Sequence, residues 1–521
     1  MTARRALPRI ELLLLGLLTV AALALRLWGL GGRPLLSDES SSFYFSQLPL
    51  ATLLGWLCDP HPPGYYLLLR GAAALGQSES WLRLPSALAG ALAVPLTWAV
   101  ARLAGAATLP RTVRTAHWPG QAGLLAAALV AFAPLAVWYS QEVRAYALLS
   151  LLTLGMTWAG LRWRLRPTLP AALAFLVLGW LALWTEYGAL VILAGLNLFL
   201  LSGWPWRPGA ARPPGVMRRW LALQAALLAP FALWWLLSAQ RLALSRMSYQ
   251  AIFLAVQAQG LGLAWTPQQA GAMIRVIVLA AAALGLALAL AVRQSGRVRR
   301  WLGSPWVAAL LLALVVGLAL LGALPRLYTV KRHLNALLPF LSMAAAWALL
   351  AGRDAAGRLS LARRLAAGGV IALLLALSLA MPRLAPEPAW RAAVATLHEQ
   401  WQPGDAIWVD ELDAPVFAYY WGEARWEGWQ PLRARDLAAL EAVPERQRVW
   451  LVGSITPYRD LRQTLPPGFA GQRFASQSFA WRDLALTAYD ASAAPQPVIN
   501  PPLALRWGLD ILSPLDVTCQ P

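Results

Sequence analysis

Two adjacent carboxylates, Asp38 and Glu39, stand in the stretch Leu36-Ser37-Asp38-Glu39-Ser40, eight residues after an apolar segment ends at Leu30. A carboxylate held beside a reacting hydroxyl serves as a general base, and a neighbouring acid raises its pKa or orients it. The same residues also suit a helix start, with Ser37 or Asp38 as N-cap and the acids at the positive end of a helix that begins at Ser40. Three more clusters follow. Asp59-Pro60-His61-Pro62-Pro63-Gly64-Tyr65-Tyr66 places Asp59 and His61 in a turn stiffened by prolines. Tyr139-Ser140-Gln141-Glu142-Val143-Arg144-Ala145-Tyr146 sets an arginine beside a glutamate, which suits phosphate or carboxylate recognition or a pair that closes the loop. Tyr328-Thr329-Val330-Lys331-Arg332-His333-Leu334 gathers three basic side chains, the chemistry of an anion site.

The elements that must carry these clusters are apolar. Of the 521 residues 59% are hydrophobic and 13% charged, with mean hydropathy +0.53, and the apolar runs approach the ~20 residues of a spanning helix. The fold class is a polytopic α-helical membrane protein. Eleven spans are predicted, at 10–30, 85–104, 120–138, 146–161, 169–185, 188–203, 220–238, 271–292, 305–324, 334–351 and 365–381. The first follows Arg4, Arg5 and Arg9 and reads as a retained signal-anchor. Arginines crowd the N-terminus and alternate loops, at 102–114, 162–166, 207–219, 293–300 and 353–364. Under the positive-inside rule these are cytoplasmic, which puts the N-terminus inside and all four clusters outside. Six of the eight carboxylates before residue 382 then lie on that outer side: Asp38, Glu39, Asp59, Glu79, Glu142 and Glu186. Ionisable groups at the edge of an apolar bundle mark a functional site.

The segment Pro63–Gly76 is too short to span and carries Arg70, so it reads as an interfacial helix, with a second over Ser40–Trp56. After Met381 the character changes. Strand-like runs at Ala406–Asp410, Arg448–Gly453 and Asp483–Tyr489 alternate with helix-like stretches at Ala414–Trp421 and Tyr458–Leu465. Residues 1–381 therefore form a membrane domain, and 382–521 an external α/β domain. The net charge of +20 divides the same way: 31 Arg, one Lys and eight acids before residue 382 (+24), and 12 Arg with 16 acids after it (−4). The basic excess orients helices and does not mark a nucleic-acid binder. Cys58 and Cys519, the two cysteines, form no metal or redox motif; both fall outside, where they pair as a disulfide or remain thiols.

Taken in order and on one membrane side, the Asp38-Glu39 pair, His61-Pro62-Pro63-Gly64-Tyr65-Tyr66, the 139–146 stretch and the basic residues before Leu334-Asn335-Ala336-Leu337-Leu338-Pro339 resemble the GT-C class of membrane glycosyltransferases. The resemblance is to the group of protein O-mannosyltransferases, lipid A aminoarabinose transferases and RgtA/B/C/D-like enzymes, family 39-like, and covers roughly residues 10–350. It implies an inverting hexosyl- or pentosyltransferase of the cell envelope, acting at the outer face of the plasma membrane. The implied donor is a polyprenyl-phosphate-linked sugar, with membrane lipids as further partners, and the implied acceptor is a lipid, glycan or protein. Asp38 matches the base and Glu39 its partner. Glu142 stands where the class often carries an acid. His61 departs from relatives that have Lys there. Some members use a divalent ion, for which Asp59 and His61 are the candidates here, and others need no cofactor.

The residues themselves fit this chemistry: Arg144, Lys331 and Arg332 supply cations for a lipid phosphate, with Asp59, His61, Tyr65, Glu142, Tyr146 and His333 as supporting or substrate-binding groups. The alternative is a transporter or flippase for an anionic lipid-linked substrate. Against it stand acids gathered on one face and the lack of inverted repeats.

Overall fold

The computed structural model describes residues 3–55, 61–108, 118–202, 215–239, 335–350, 360–384, 389–410, 413–422, 427–432, 434–454, 462, 465–481 and 484–491. Asp59, Lys331, Arg332, His333, Cys58 and Cys519, the spans at 271–292 and 305–324 and most of Tyr458–Leu465 lie outside them.

The membrane part consists of α1 (Ala3–Leu27), α2 (Ser37–Gln47), α3 (Leu50–Gly55), α4 (Gly64–Ala73), α5 (Glu79–Thr108), α6 (Trp118–Phe132), α7 (Pro134–Ser140), α8 (Tyr146–Leu165), α9 (Leu169–Thr185), α10 (Ala189–Ser202), α11 (Val216–Ala239), α12 (Leu338–Leu350) and α13 (Leu361–Leu384). Among the described residues, Arg9–Leu27, Glu79–Ala104, Val216–Trp234 and Leu361–Ala380 are long and apolar enough to cross a bilayer. Gly120–Phe132 with Pro134–Ser140 makes a fifth, bent by 59°. The helix α5 is central, packed against α1, α6 and α8. Leu12, Leu13, Leu17 and Val20 of α1 and Leu365, Leu373 and Leu377 of α13 are exposed, as lipid-facing side chains are.

Two expectations need correction. The span expected over 120–138 is two helices, because Pro134 has no N–H to return to Val130 and pushes Ala133 to an extended conformation, φ −68° and ψ 121°. The surface helix expected over Ser40–Trp56 starts at Ser37 and is divided at Leu48-Pro49 into α2 and α3. Its N-cap is Leu36, and Glu39 at the third helical position accepts from the Leu36 amide at 2.9 Å. Glu39, rather than Ser37 or Asp38, therefore supplies the side-chain half of the cap.

The Pro63–Gly76 segment is helical as α4, whose ten residues span only about 15 Å. Arg70, the charge that makes this segment unusual, donates to the carbonyls of Ser46 and Leu48 at the C-terminal end of α2. Gly64 begins α4 because any Cβ there would sit 2.5 Å from the Trp184 carbonyl oxygen at the end of α9.

The C-terminal unit has helices α14 (Trp390–Gln400), α15 (Ala414–Trp421) and α16 (Pro467–Gln472), and strands β1 (Ala406–Asp410), β2 (Gln430–Leu432), β3 (Val449–Ser454), β4 (Phe474–Trp481) and β5 (Leu484–Asp490). The sheet order is β2-β1-β3-β5-β4, parallel among the first three and antiparallel beyond. One face buries Ile407, Trp450 and Leu486 against Trp390 and Leu397 of α14 and Phe417 of α15. The other buries Trp408, Leu451 and Tyr489 with Leu440 and Phe469. Both faces are covered, which is why β1 and β3 read as nearly continuous apolar runs.

Candidate active site

The acidic pair begins α2 at one end of the helical bundle, and its two members have opposite environments. Glu39 is fully buried. Arg83 of α5 grips it with two prongs, Nε on Oε1 and Nη2 on Oε2, both at 2.8 Å. Arg33 donates to Oε2 at 3.4 Å, and the amides of Leu36 and Val143 donate at 2.9 Å each. Burial alone would push the carboxyl's pKa up; the charges of Arg33 and Arg83 and these hydrogen bonds reverse that and hold it at about 2. Asp38, one residue back, is half-buried.

Arg144 reaches α2 from the loop between α7 and α8. Its Nη1 donates to the Asp38 carbonyl at 3.3 Å and to Ser42 Oγ at 3.1 Å, and its Nη2 to the Tyr146 hydroxyl at 3.3 Å. The carbonyl of Arg144 accepts from Ser86 Oγ, which bonds the Tyr65 hydroxyl. Burial raises the pKa of the Tyr65 phenol, and the charges of Arg144, Glu39 and Glu142 also act on it. Asp38, Glu39, Tyr65, Glu142, Arg144 and Tyr146 thus form one cluster. His61 faces another carboxylate, with Nε2 3.7 Å from Glu186 Oε2. Among the described residues no three His, Cys, Asp or Glu side chains gather to hold a metal ion.

The segment that follows the basic triplet arrives at the same place. Asn335, two residues after His333, is buried and donates to the Tyr146 carbonyl at 3.4 Å and to Ser150 Oγ at 3.3 Å.

The sequence reading overlooked four arginines that build the site. Arg33 and Arg83 hold Glu39. Arg26 is fully buried near the end of α1 and donates to the carbonyls of Val130 and Ala131 and to Ser140 Oγ. It satisfies acceptors at the end of α6, beside the break at Pro134, and so fixes the course of α7 toward Glu142 and Arg144. Gly90 of α5 leaves room for this contact: a Cβ there would lie 2.9 Å from Arg26 Nε. The fourth, Arg391, comes from the C-terminal unit. A signal was present for three of them, because in the topology expected from the sequence Arg26, Arg33 and Arg83 depart from the positive-inside pattern as 331–333 does.

This architecture occurs in solved structures. An oligosaccharyltransferase of Archaeoglobus fulgidus, solved in complex with Zn and sulfate, is similar over 92% of this chain and 73% of its own, with a TM-score of 0.51 and 13% identity. The chain has a GT-C-like membrane fold. Other GT-C structures are similar at lower scores. ArnT from Cupriavidus metallidurans bound to undecaprenyl phosphate gives a TM-score of 0.43 at 14% identity, over 92% of this chain and 99% of that one. The Pmt1-Pmt2 protein O-mannosyltransferase complex of S. cerevisiae bound to the sugar donor gives 0.35 at 21% identity, over 44% and 33%. No family model matches the sequence, and no curated protein matches it. Within this GT-C-like fold, apolar helices support the polar cluster at one end and a small sheet follows them in the sequence.

Proposed function

We propose that the protein is an inverting glycosyltransferase that moves a sugar from a polyprenyl-phosphate donor to an acceptor hydroxyl at the outer face of the cytoplasmic membrane. The observation that carries this reading is the union of Asp38 and Arg144, a half-buried carboxylate and a buried cation joined through the Asp38 carbonyl at the end of an apolar bundle. A lipid-linked sugar needs that layout: apolar surface for the lipid tail, cations at headgroup level and a base beyond them. In the reaction Asp38 takes the acceptor proton, and the acceptor oxygen attacks C1 opposite the phosphate. The C1–phosphate oxygen bond breaks and the polyprenyl phosphate leaves with the electron pair. Charge gathers on that phosphate, where Arg144, Lys331 and Arg332 stabilise it. Asn335, three residues after Arg332 in the sequence, donates to the Tyr146 carbonyl. Glu39, saturated by two arginines and two amides, orients this machinery and is not itself the base.

In the same reading eleven spans put the N-terminus in the cytoplasm and residues 382–521 outside, with Asp59, His61 and His333 as substrate-binding or supporting groups. Asp38→Asn should abolish transfer while undecaprenyl phosphate still binds and still co-purifies, as read by mass spectrometry. A D38N protein with near-normal turnover removes Asp38 as the base. Failure of the wild-type protein to bind any polyprenyl phosphate removes the donor assignment.

A further inference from the structure

The segment that delivers Asp38, residues 28–36, contains neither helix nor strand. Its conformation is set from two sides. From the membrane part, Arg83 donates to the carbonyls of Leu30, Arg33 and Pro34 at 2.8–2.9 Å. From the C-terminal unit, Arg391 at the start of α14 donates to the carbonyls of Gly31, Gly32 and Arg33 at 2.9–3.3 Å. Every carbonyl from Leu30 to Pro34 is therefore taken by one of two arginines. Each arginine is in turn anchored by a carboxylate, Arg83 by Glu39 and Arg391 by Glu79, the latter at 2.6 Å.

Tyr420 of α15 closes the outer half. Its hydroxyl accepts from the Leu35 amide and donates to Glu79 Oε1, both at 2.7 Å. Burial and the Glu79 carboxylate push the pKa of this phenol up, so it stays a donor. Next to it, Tyr419 donates to the Gln77 carbonyl at 2.7 Å and meets Phe43 edge-on at 5.6 Å. Asp413 accepts from Ser454 at the end of β3 and from Ser37 Oγ, the residue before Asp38.

We propose that the C-terminal unit is the outer jaw of a clamp on the 28–36 segment, with Arg391 and Tyr420 as positioning residues that set the Asp38 backbone. A unit built only to receive acceptor would not need to occupy four positions of the base's own loop, 31–33 through Arg391 and 35 through Tyr420, and the first residue of α2, Ser37, through Asp413. Those made by Arg391 are charge-assisted and aimed at backbone, so they specify conformation. Without the outer jaw, Arg83 still holds Glu39, but the carbonyls of Gly31 and Gly32 lose their donor, and two glycines leave the backbone free to wander. The inference rests on the proposed role of Asp38 for its catalytic meaning, not for its structural content.

Hydrogen exchange of the full-length protein in nanodiscs tests it. In Arg391→Ala, peptides covering 29–36 should exchange at least about 10-fold faster, with α5 and β3 unchanged, and Arg391→Lys should fall between. Tyr420→Phe, which deletes one hydroxyl and leaves the packing of α15 intact, should expose the Leu35 amide alone; it decides the matter if R391A loosens the whole sheet. In a transfer assay both variants should lower kcat about 10-fold with the donor KM unchanged. Unchanged exchange over 29–36 in both variants overturns the clamp. If exchange rises as expected while wild-type protein transfers no polyprenyl-linked sugar, the clamp stands and the glycosyltransferase reading falls.

Discussion

Replacing Glu39 by Gln tests the view that the buried acid is an organiser. Its two oxygens accept from Arg83, Leu36 and Val143 at 2.8–2.9 Å and from Arg33 at 3.4 Å. A glutamine offers one acceptor and one donor. Whichever way the amide turns, its NH2 faces Arg83 and a backbone amide, and in one orientation Arg33 as well, so two or three hydrogen bonds become donor–donor contacts, and Arg83 is left with Arg33 and no carboxylate at this spot. Orphaning buried partners costs about 1–3 kcal/mol each, and breaking a buried ion pair about 3–5 kcal/mol. The same contacts lower the Glu39 pKa from 4.5 to about 2, which corresponds to about 3 kcal/mol. A loss of about 3 kcal/mol at neutral pH is therefore expected. The sign follows from the lowered pKa: the contribution is complete above the unfolded value near 4.5 and is lost as pH falls through the folded value near 2. The gap between wild type and E39Q should shrink to about 1 kcal/mol by pH 3. Unfolding of both proteins in detergent, followed against pH, reads this directly. A gap below about 0.5 kcal/mol at pH 7, or one that does not narrow in acid, refutes the reasoning.

Arg26→Met should destabilise the protein by about 2–4 kcal/mol, since the Val130 and Ala131 carbonyls lose their donor; a variant that unfolds with wild type would show that the break in the third span needs no support. Arg332→Ala should weaken undecaprenyl phosphate binding about 10-fold or more and leave acceptor affinity nearly unchanged. Equal affinity for the lipid by titration would detach that arginine from the donor phosphate.

What the sequence displayed is governed by period and length. Strand β1 and helix α15 occur at their predicted residues, because a buried parallel strand and a short apolar helix each write a local pattern. Strand β4 did not announce itself: Phe474-Ala475-Ser476-Gln477-Ser478-Phe479-Ala480-Trp481 lies at the sheet edge, mixes polar and apolar residues and carries a bulge at Ala475/Gln477. Strand β2 contains Pro431, tolerated because it is the opposite edge. In the site, Asp38, Glu39 and Arg144 were legible as charges on an apolar background. The division of labour between the two acids was not. It depends on Arg83, 44 residues away, and on an amide 104 residues away, which no local pattern encodes. The tie between Tyr420 and Leu35 spans 385 residues and is equally silent in the sequence.

The seat of Arg26 also has a consequence for assembly. Its partners on α6 and α7 lie 104 to 114 residues further along the sequence. During synthesis the first apolar segment enters the bilayer before those partners exist. Its arginine, one residue from the end of α1, must wait among headgroups with its stem in the hydrocarbon, a posture long basic side chains adopt at little cost. Only when Val130, Ala131 and Ser140 have been made can the guanidinium turn inward and the first helix take its final depth and rotation. The first helix is thus made early and seated late, and the cluster around Asp38 cannot be completed until residues 140–146 have been made.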